Sequence, residues 1–170
     1  MTTLYLDMDG VVADWDTAAT EYLHEEFPLD FANKPEGRWP KHLWEELRKH
    51  HRFYRDLPKM PQADELVALA RRFRDEKGYD LIFLTAIPRG NDCHWAFYDK
   101  VLWVQARYPE IAVHFGPYSE DKQVHCEPGD ILVDDRYDNC ESWKAAGGIA
   151  VRVTKDYQAA LDQLAGLFNS

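Results

Sequence analysis

The chain has 170 residues, enough for one packed core with a small inserted subdomain and too few for two large domains. Its formal charge of −10 excludes duplex nucleic acid and anionic membrane surfaces as main partners, since both are held by basic surface that releases counterions. The hydrophobic share of 45% is ordinary, whereas an aromatic share of 14% with six tryptophans suggests a pocket lined with rings. Three cysteines, Cys93, Cys126 and Cys140, are odd in number and lack metal-ligand spacing. They read as reduced thiols in a cytoplasmic compartment and give no zinc site. The chain opens directly in a strand with no charged and apolar leader, and no apolar run approaches the length of a membrane span, so a soluble cytoplasmic protein is predicted.

The first strand covers residues 3–6, an apolar run that ends abruptly in Asp7, as a buried central strand does when its last residue faces a crevice. Asp9 and then Gly10 follow. Alternate residues of an extended chain point to one side, so Asp7 and Asp9 can reach one site while Met8 packs away from it. Alone, the two acids have two readings: a solvated strand end before a turn, or a divalent cation that relieves the repulsion around a nucleophilic carboxylate.

Residues 11–27 carry Val12, Trp15, Ala19, Tyr22, Leu23 and Phe27 at helical spacing, a stripe that stops before Pro28. Residues 28–61 change character, with repeated prolines, scattered aromatics and one short helix over 42–51 that puts Leu43, Trp44 and Leu47 on one face. This stretch reads as an insertion. A helix then runs from Asp64 to the stop at Gly78, and a buried strand over 79–85 ends in the hydroxyl of Thr85. After a loop over 86–91, a helix over 92–108 carries Trp95, Tyr98, Leu102 and Gln105 as its stripe. A strand over 111–115, a polar loop over 116–129 containing Lys122, and a strand over 130–134 follow, the last running straight into Asp135 and Arg136. A helix over 139–146, a strand over 149–153 and a helix over 157–168 close the chain.

Strands alternate with helices throughout. That order predicts an α/β fold, a Rossmann-like parallel sheet with helices on both faces and a working site at the carboxyl ends of the strands. Residues 1–27 and 62–170 form the core, and residues 28–61 a small helical cap inserted after the first strand. The convergence of strand ends brings Asp7, Asp9, Thr85, Asp134 and Asp135 toward one crevice. Taken singly, Thr85 is a hydroxyl bonding nearby backbone, Lys122 a surface lysine and Asp134-Asp135 a helix cap. Their conjunction is what points to a site.

The four stretches Asp7-Met8-Asp9-Gly10-Val11, Leu84-Thr85, Lys122 and Leu132-Val133-Asp134-Asp135, in this order, resemble the motifs of the haloacid dehalogenase-like phosphatase superfamily. Asp-Met-Asp-Gly-Val-Val-Ala-Asp-Trp and Val-Asp-Asp-Arg-Tyr-Asp-Asn look most similar to the 5′(3′)-deoxyribonucleotidases within it. The resemblance implies a phosphatase in which Asp7 is the nucleophile and Asp9 the general acid and base. It also implies Mg²⁺ held by Asp7, the backbone carbonyl of Asp9 and Asp135, with Asp134 in support; which of the two adjacent acids binds directly stays open. Gly10, Thr85 and Lys122 are then the phosphate-binding residues. The residue types agree: a phosphate dianion near a carboxylate faces roughly 4 kcal/mol of repulsion at about 4 Å, so cations are required.

The substrate implied by the resemblance is a (deoxy)ribonucleoside 5′-monophosphate, with Trp15 against the base. The alternatives are a sugar phosphate, another small phosphoester, a terminal nucleic-acid phosphate, or a phospho-ligand bound without turnover. Trp39, Trp44, Phe53 and Tyr54 either line the pocket or form the core of the inserted cap. Arg136 contacts substrate or pairs with a cap carboxylate, and Arg89 is a basic residue in the loop after Thr85. Ala86 departs from the resembled group, which has serine there, and puts fine substrate preference in doubt. His50 and His51 read as exposed cap residues, and the sequence leaves a homodimer open.

Overall fold

The computed structural model describes residues 1–26, 41–88 and 93–170. Within these, five parallel strands form one sheet: β1 (Thr3–Leu6), β2 (Asp80–Thr85), β3 (Ala112–Phe115), β4 (Ile131–Asp134) and β5 (Ile149–Arg152), in the order β3-β2-β1-β4-β5. β1 is central and buried along its whole length. Its alternation divides the core in two. Leu4 and Leu6 face a large cluster that includes Leu66, Phe73, Leu161 and Phe168, while Tyr5 faces Leu84, Leu132 and Trp143 on the opposite side. Helices α3 (Ala63–Lys77) and α6 (Tyr157–Asn169) cover the first face, with Phe73 and Phe168 edge to face at 5.1 Å. Helix α5 (Tyr137–Ala145) covers the second through Trp143, 5.2 Å from the Tyr5 ring. The fold class read from the sequence is therefore the one observed.

The sheet order decides where the site forms. β2 and β4 flank β1 on opposite sides, in register through Leu6 with Phe83 and Val133, and the Asp7 amide continues the ladder to the Val133 carbonyl at 2.9 Å. The chain leaves β1 toward β2 and returns to its other side at β4, so a crevice opens at their carboxyl ends, where Asp7, Thr85 and Asp134 stand side by side.

Several elements differ from the sequence reading. Helix α1 begins at Trp15 and runs to Glu26, not from residue 11. The amides of Val11, Val12 and Ala13 instead converge on the Met8 carbonyl at 2.9–3.1 Å, and the Asp14 carboxylate accepts from the Thr17 amide, which starts the helix after the turn. Helix α2 is confined to Lys41–Leu47, and turns follow it. The supposed loop over 116–129 contains a 3-10 helix, Ser119–His125, that buries Lys122.

The largest revision concerns helix α4 (Trp95–Arg107). Its buried face is Ala96, Asp99, Lys100, Trp103 and Val104, whereas Tyr98, Leu102 and Gln105 of the predicted stripe are exposed. The apolar spacing misled because two charged residues on the inward face have partners elsewhere: Asp99 is ion-paired through Oδ1 with Arg55 at 3.4 Å, and Lys100 is bonded to Asp9 and Thr85.

Residues 12–14, between β1 and α1, lie against residues 58–60, near the end of the predicted insertion. The Asp14 amide donates to the Pro58 carbonyl at 2.8 Å and the Met60 amide to the Val12 carbonyl at 2.9 Å, and Ala13 pairs with Lys59 as an antiparallel bridge. Of the predicted cap residues, Trp39 lies outside the described residues, as does Arg89 in the loop after β2.

Candidate active site

Asp7 is buried directly beyond the central strand, 5% exposed. Among the described residues Asp7, Asp134 and Asp135 form the one cluster of acids in which a ligand atom from each lies within 4.8 Å of the others. Lys122 Nζ bridges two of them, 2.7 Å from Asp7 Oδ1 and 2.7 Å from Asp134 Oδ2. Burial opposes the lysine's charge, but the two carboxylates outweigh it and hold its pKa above the ordinary value. The pKa of Asp7 is raised as well, which for an acid disfavours the charge. Burial pushes it up from 3.8 to about 6, against the lowering pull of Lys122.

The two adjacent acids have different surroundings. Asp134 is fully buried and saturated: Oδ1 accepts from the Arg136 amide at 2.8 Å, both oxygens accept from Asn139 Nδ2 at 3.1–3.2 Å, and Oδ2 accepts from Lys122. The Asp135 side chain has no such set. Burial, then Asp7 and Asp134, push its pKa well above the usual carboxylate range. A carboxylate held against its charge beside another is short of a cation. With all four carboxylates ionised, Asp7, Asp9, Asp134 and Asp135 would set four negative charges against the two positive charges of Lys100 and Lys122, a difference that a divalent cation would balance.

Gly10 is required sterically by this packing. Its φ is +78°, and a Cβ there would stand 2.5 Å from Asp135 Oδ2 and 2.7 Å from its Cγ. A glycine lets the turn after β1 pass directly under the acid from β4.

Thr85 is fully buried at the end of β2, and its hydroxyl oxygen accepts from Lys100 Nζ at 2.9 Å, which leaves the hydroxyl hydrogen for another acceptor. Lys100 also donates to Asp9 Oδ2 at 2.6 Å. Sequence reasoning missed Lys100. A charged residue at position 100 looks like the solvated side of α4, and the contrary signal, Asp99-Lys100 interrupting an otherwise apolar helix, is not specific enough to place it.

The predicted aromatic residues gather away from open solvent. Trp15 is 7% and Phe53 4% exposed; the Trp15 ring is 5.4 Å from Trp44 and 6.0 Å from Phe53. Trp44 keeps partial exposure. Tyr54 is buried beneath Lys100, whose Nζ lies 5.1 Å from its ring centroid. Burial and then the charge of Asp9 push the Tyr54 hydroxyl pKa well up. Of the two histidines expected at the cap surface, His51 is exposed and stacks on Trp95 at 5.4 Å, whereas His50 is half-buried against Tyr22 and Phe53. The Arg136 side chain is exposed and lines a surface hollow with Ser119, Glu120 and Ser142, a lining that includes none of the four acids.

No family model and no curated protein sequence matches the chain. Solved structures do. A Thermotoga maritima protein named as a beta-phosphoglucomutase superimposes with a TM-score of 0.56 at 17% identity, covering 99% of each chain. A dehalogenase superimposes with a TM-score of 0.58 at 13% identity, covering 99% of this chain and 96% of the other. The chain shares their fold. The likeness extends over 99% of this chain in both cases. No helix among the described residues is long and apolar enough to cross a membrane.

Proposed function

We propose that the protein is a Mg²⁺-dependent phosphomonoester hydrolase of the haloacid dehalogenase-like superfamily. The observation that carries this reading is the cluster of Asp7, Asp134 and Asp135 bridged by a buried lysine at the carboxyl end of the central strand. Asp7 and Asp135 would hold the cation directly, with the Asp9 carbonyl, while Asp134, whose oxygens are already taken, orients Lys122 and supports from behind. When bound, the cation supplies charge neutralisation for a phosphate dianion entering a site lined with acids.

In this reading the Asp7 carboxylate attacks phosphorus in line, the bond to the leaving oxygen breaks, and Asp9 gives that oxygen its proton. Asp9 then takes a proton from water, whose oxygen attacks the aspartyl-phosphate. The phosphorus–oxygen bond to Asp7 breaks, releasing inorganic phosphate and restoring both acids. Lys122 and the free hydroxyl hydrogen of Thr85 stabilise the phosphoryl oxygens, and Gly10 lets backbone amides approach them.

We propose that residues 28–61 form a small cap over this crevice, a reading supported by the hydrogen bonds that hold residues 58–60 against residues 12–14 after β1. The substrate we favour is a nucleoside 5′-monophosphate, with Trp44 as the partly open ring available to a base. A sugar phosphate is the second reading, favoured by the burial of Trp15 and Phe53 among their own neighbours. Three free cysteines fit a reducing, cytoplasmic compartment. Phosphate release measured across nucleoside monophosphates and sugar phosphates, with and without Mg²⁺ and with Asp7→Asn as blank, tests the reading. Absence of Mg²⁺-dependent release from every ester would overturn it.

A further inference from the structure

Lys100 is a buried cation to which the reaction above gives no task. It projects from α4 with 2% exposure, and its Nζ meets groups from three separate segments: Asp9 Oδ2 at 2.6 Å after β1, Thr85 Oγ1 at 2.9 Å ending β2, and the face of Tyr54, 5.1 Å to the centroid, on the return from the inserted segment. Its neighbour Asp99 is turned to Arg55 and is not its counter-ion. A lysine is held inside a protein only where its charge and donors are matched, so this position has been built around the ammonium.

The consequence falls on Asp9. One carboxylate oxygen is fixed by the lysine, while Oδ1 is buried and has no hydrogen-bond partner among the described residues. An Asp on a turn would otherwise sample several rotamers. With Oδ2 tied to α4 and β2, the carboxylate is fixed, and Oδ1, enclosed in the structure, is its one oxygen whose hydrogen-bonding capacity is unspent. We propose that Lys100 is a positioning residue that holds the Asp9 carboxylate with Oδ1 toward the leaving-group oxygen of the substrate, and that ties this orientation to Thr85 and to the inserted segment through Tyr54. This inference rests on the phosphomonoesterase reading and deepens it, because it separates the machinery that moves the proton (Asp9 with Lys100) from that which binds phosphate (Asp7 with Lys122).

The separation has a kinetic signature. A poor alkoxide leaving group needs the proton from Asp9, whereas 4-nitrophenolate leaves without it. Turnover of the fastest alkyl monoester in the panel and of 4-nitrophenyl phosphate is measured for the wild type, Lys100→Met, Lys100→Gln and Asp9→Asn, all with Mg²⁺. The quantity compared is kcat/KM, which covers the steps through departure of the leaving group and leaves out the water attack, where Asp9 serves both esters alike. Lys100→Met is expected to lower it on the alkyl ester by about a hundredfold and on 4-nitrophenyl phosphate by less than about fivefold, in the pattern of Asp9→Asn. Because the two rates come from one preparation, partial loss of folded protein cancels in their ratio, and Lys100→Gln repeats the comparison with a donor retained. An equal loss on both esters, or no loss on either, in an active wild type that Asp7→Asn silences, overturns the role of Lys100 alone. A wild type silent on both esters overturns the phosphatase reading, and the inference with it.

Discussion

At the residue scale, the acids at the end of the central strand have distinct duties because their surroundings differ. Asp7→Asn keeps the shape of the side chain and removes its nucleophilicity. The variant is expected to remain folded by circular dichroism while phosphate release falls at least about a thousandfold. The raised pKa of Asp7, about 6 in the folded chain against 3.8, has a definite sign. A carboxyl that binds its proton more tightly when folded adds stability that is fully present below pH 3.8 and is lost as pH rises through about 6. A cation at Asp7 and Asp135 competes with that proton. The gain in Tm from Mg²⁺ is therefore expected to be small near about pH 5 and to grow above about pH 6, which calorimetry with and without the ion will show. A gain independent of pH would argue against Asp7 as a ligand. Gly10→Ala adds a Cβ 2.5 Å from Asp135 Oδ2 at a positive φ, so a loss of about 1–2 kcal/mol in denaturant unfolding and a weaker response to Mg²⁺ are expected.

At the element scale, α4 does more than cover the core. Besides Lys100 and Asp99, it sends the Trp103 indole N–H to the Leu57 carbonyl at 2.7 Å, and Arg107 reaches the same carbonyl at 3.3 Å. The return from the inserted segment is thus fastened to the helix that carries Lys100. Trp103→Phe keeps most of the ring and removes that buried donor, and is expected to cost about 1–3 kcal/mol in denaturant unfolding. A neutral result would mean that Arg107 alone satisfies Leu57. The same helix shows why pattern reading has a limit: Trp95, Tyr98, Leu102 and Gln105 obey helical spacing, yet the inward face is chosen by Asp99 and Lys100, whose partners are 44 and 91 residues away in the chain. Lys122 teaches the same lesson, since a polar stretch conceals a 3-10 turn that buries it between two acids.

At the scale of the whole molecule, the order β3-β2-β1-β4-β5 turns three distant stretches of sequence into neighbours. Charge sets the partner: a net −10 overall and an acid-lined crevice admit a phosphate dianion only with a cation beside it. On the phosphatase reading, substrate choice falls to the predicted insertion. If the nucleotide reading holds, Trp44→Ala is expected to raise KM for the best nucleoside monophosphate about five- to tenfold while leaving sugar phosphates unchanged, in line with the stacking energy of one base. Equal KM values in both classes would favour the sugar-phosphate reading.

The sequence by itself determined the alternation of strand and helix, the fold class, and Asp7, Asp9, Thr85, Asp134 and Asp135 as residues of one crevice, because hydrophobic periodicity and strand-end polarity are local properties; Lys122 joined them only through the family resemblance. Only the tertiary structure decided that Asp134 is saturated with hydrogen bonds while burial and its acid neighbours hold the Asp135 pKa up, that Trp15 and Phe53 are buried against each other, and that Lys100 holds Asp9. The contacts of Trp15 with Phe53, of Lys100 with Asp9 and of Asp7 with Asp135 join residues tens of positions apart, and Asp134 owes its saturation to the way a turn places Lys122, so the value of a buried charge is set by its partners and not by its position in a pattern.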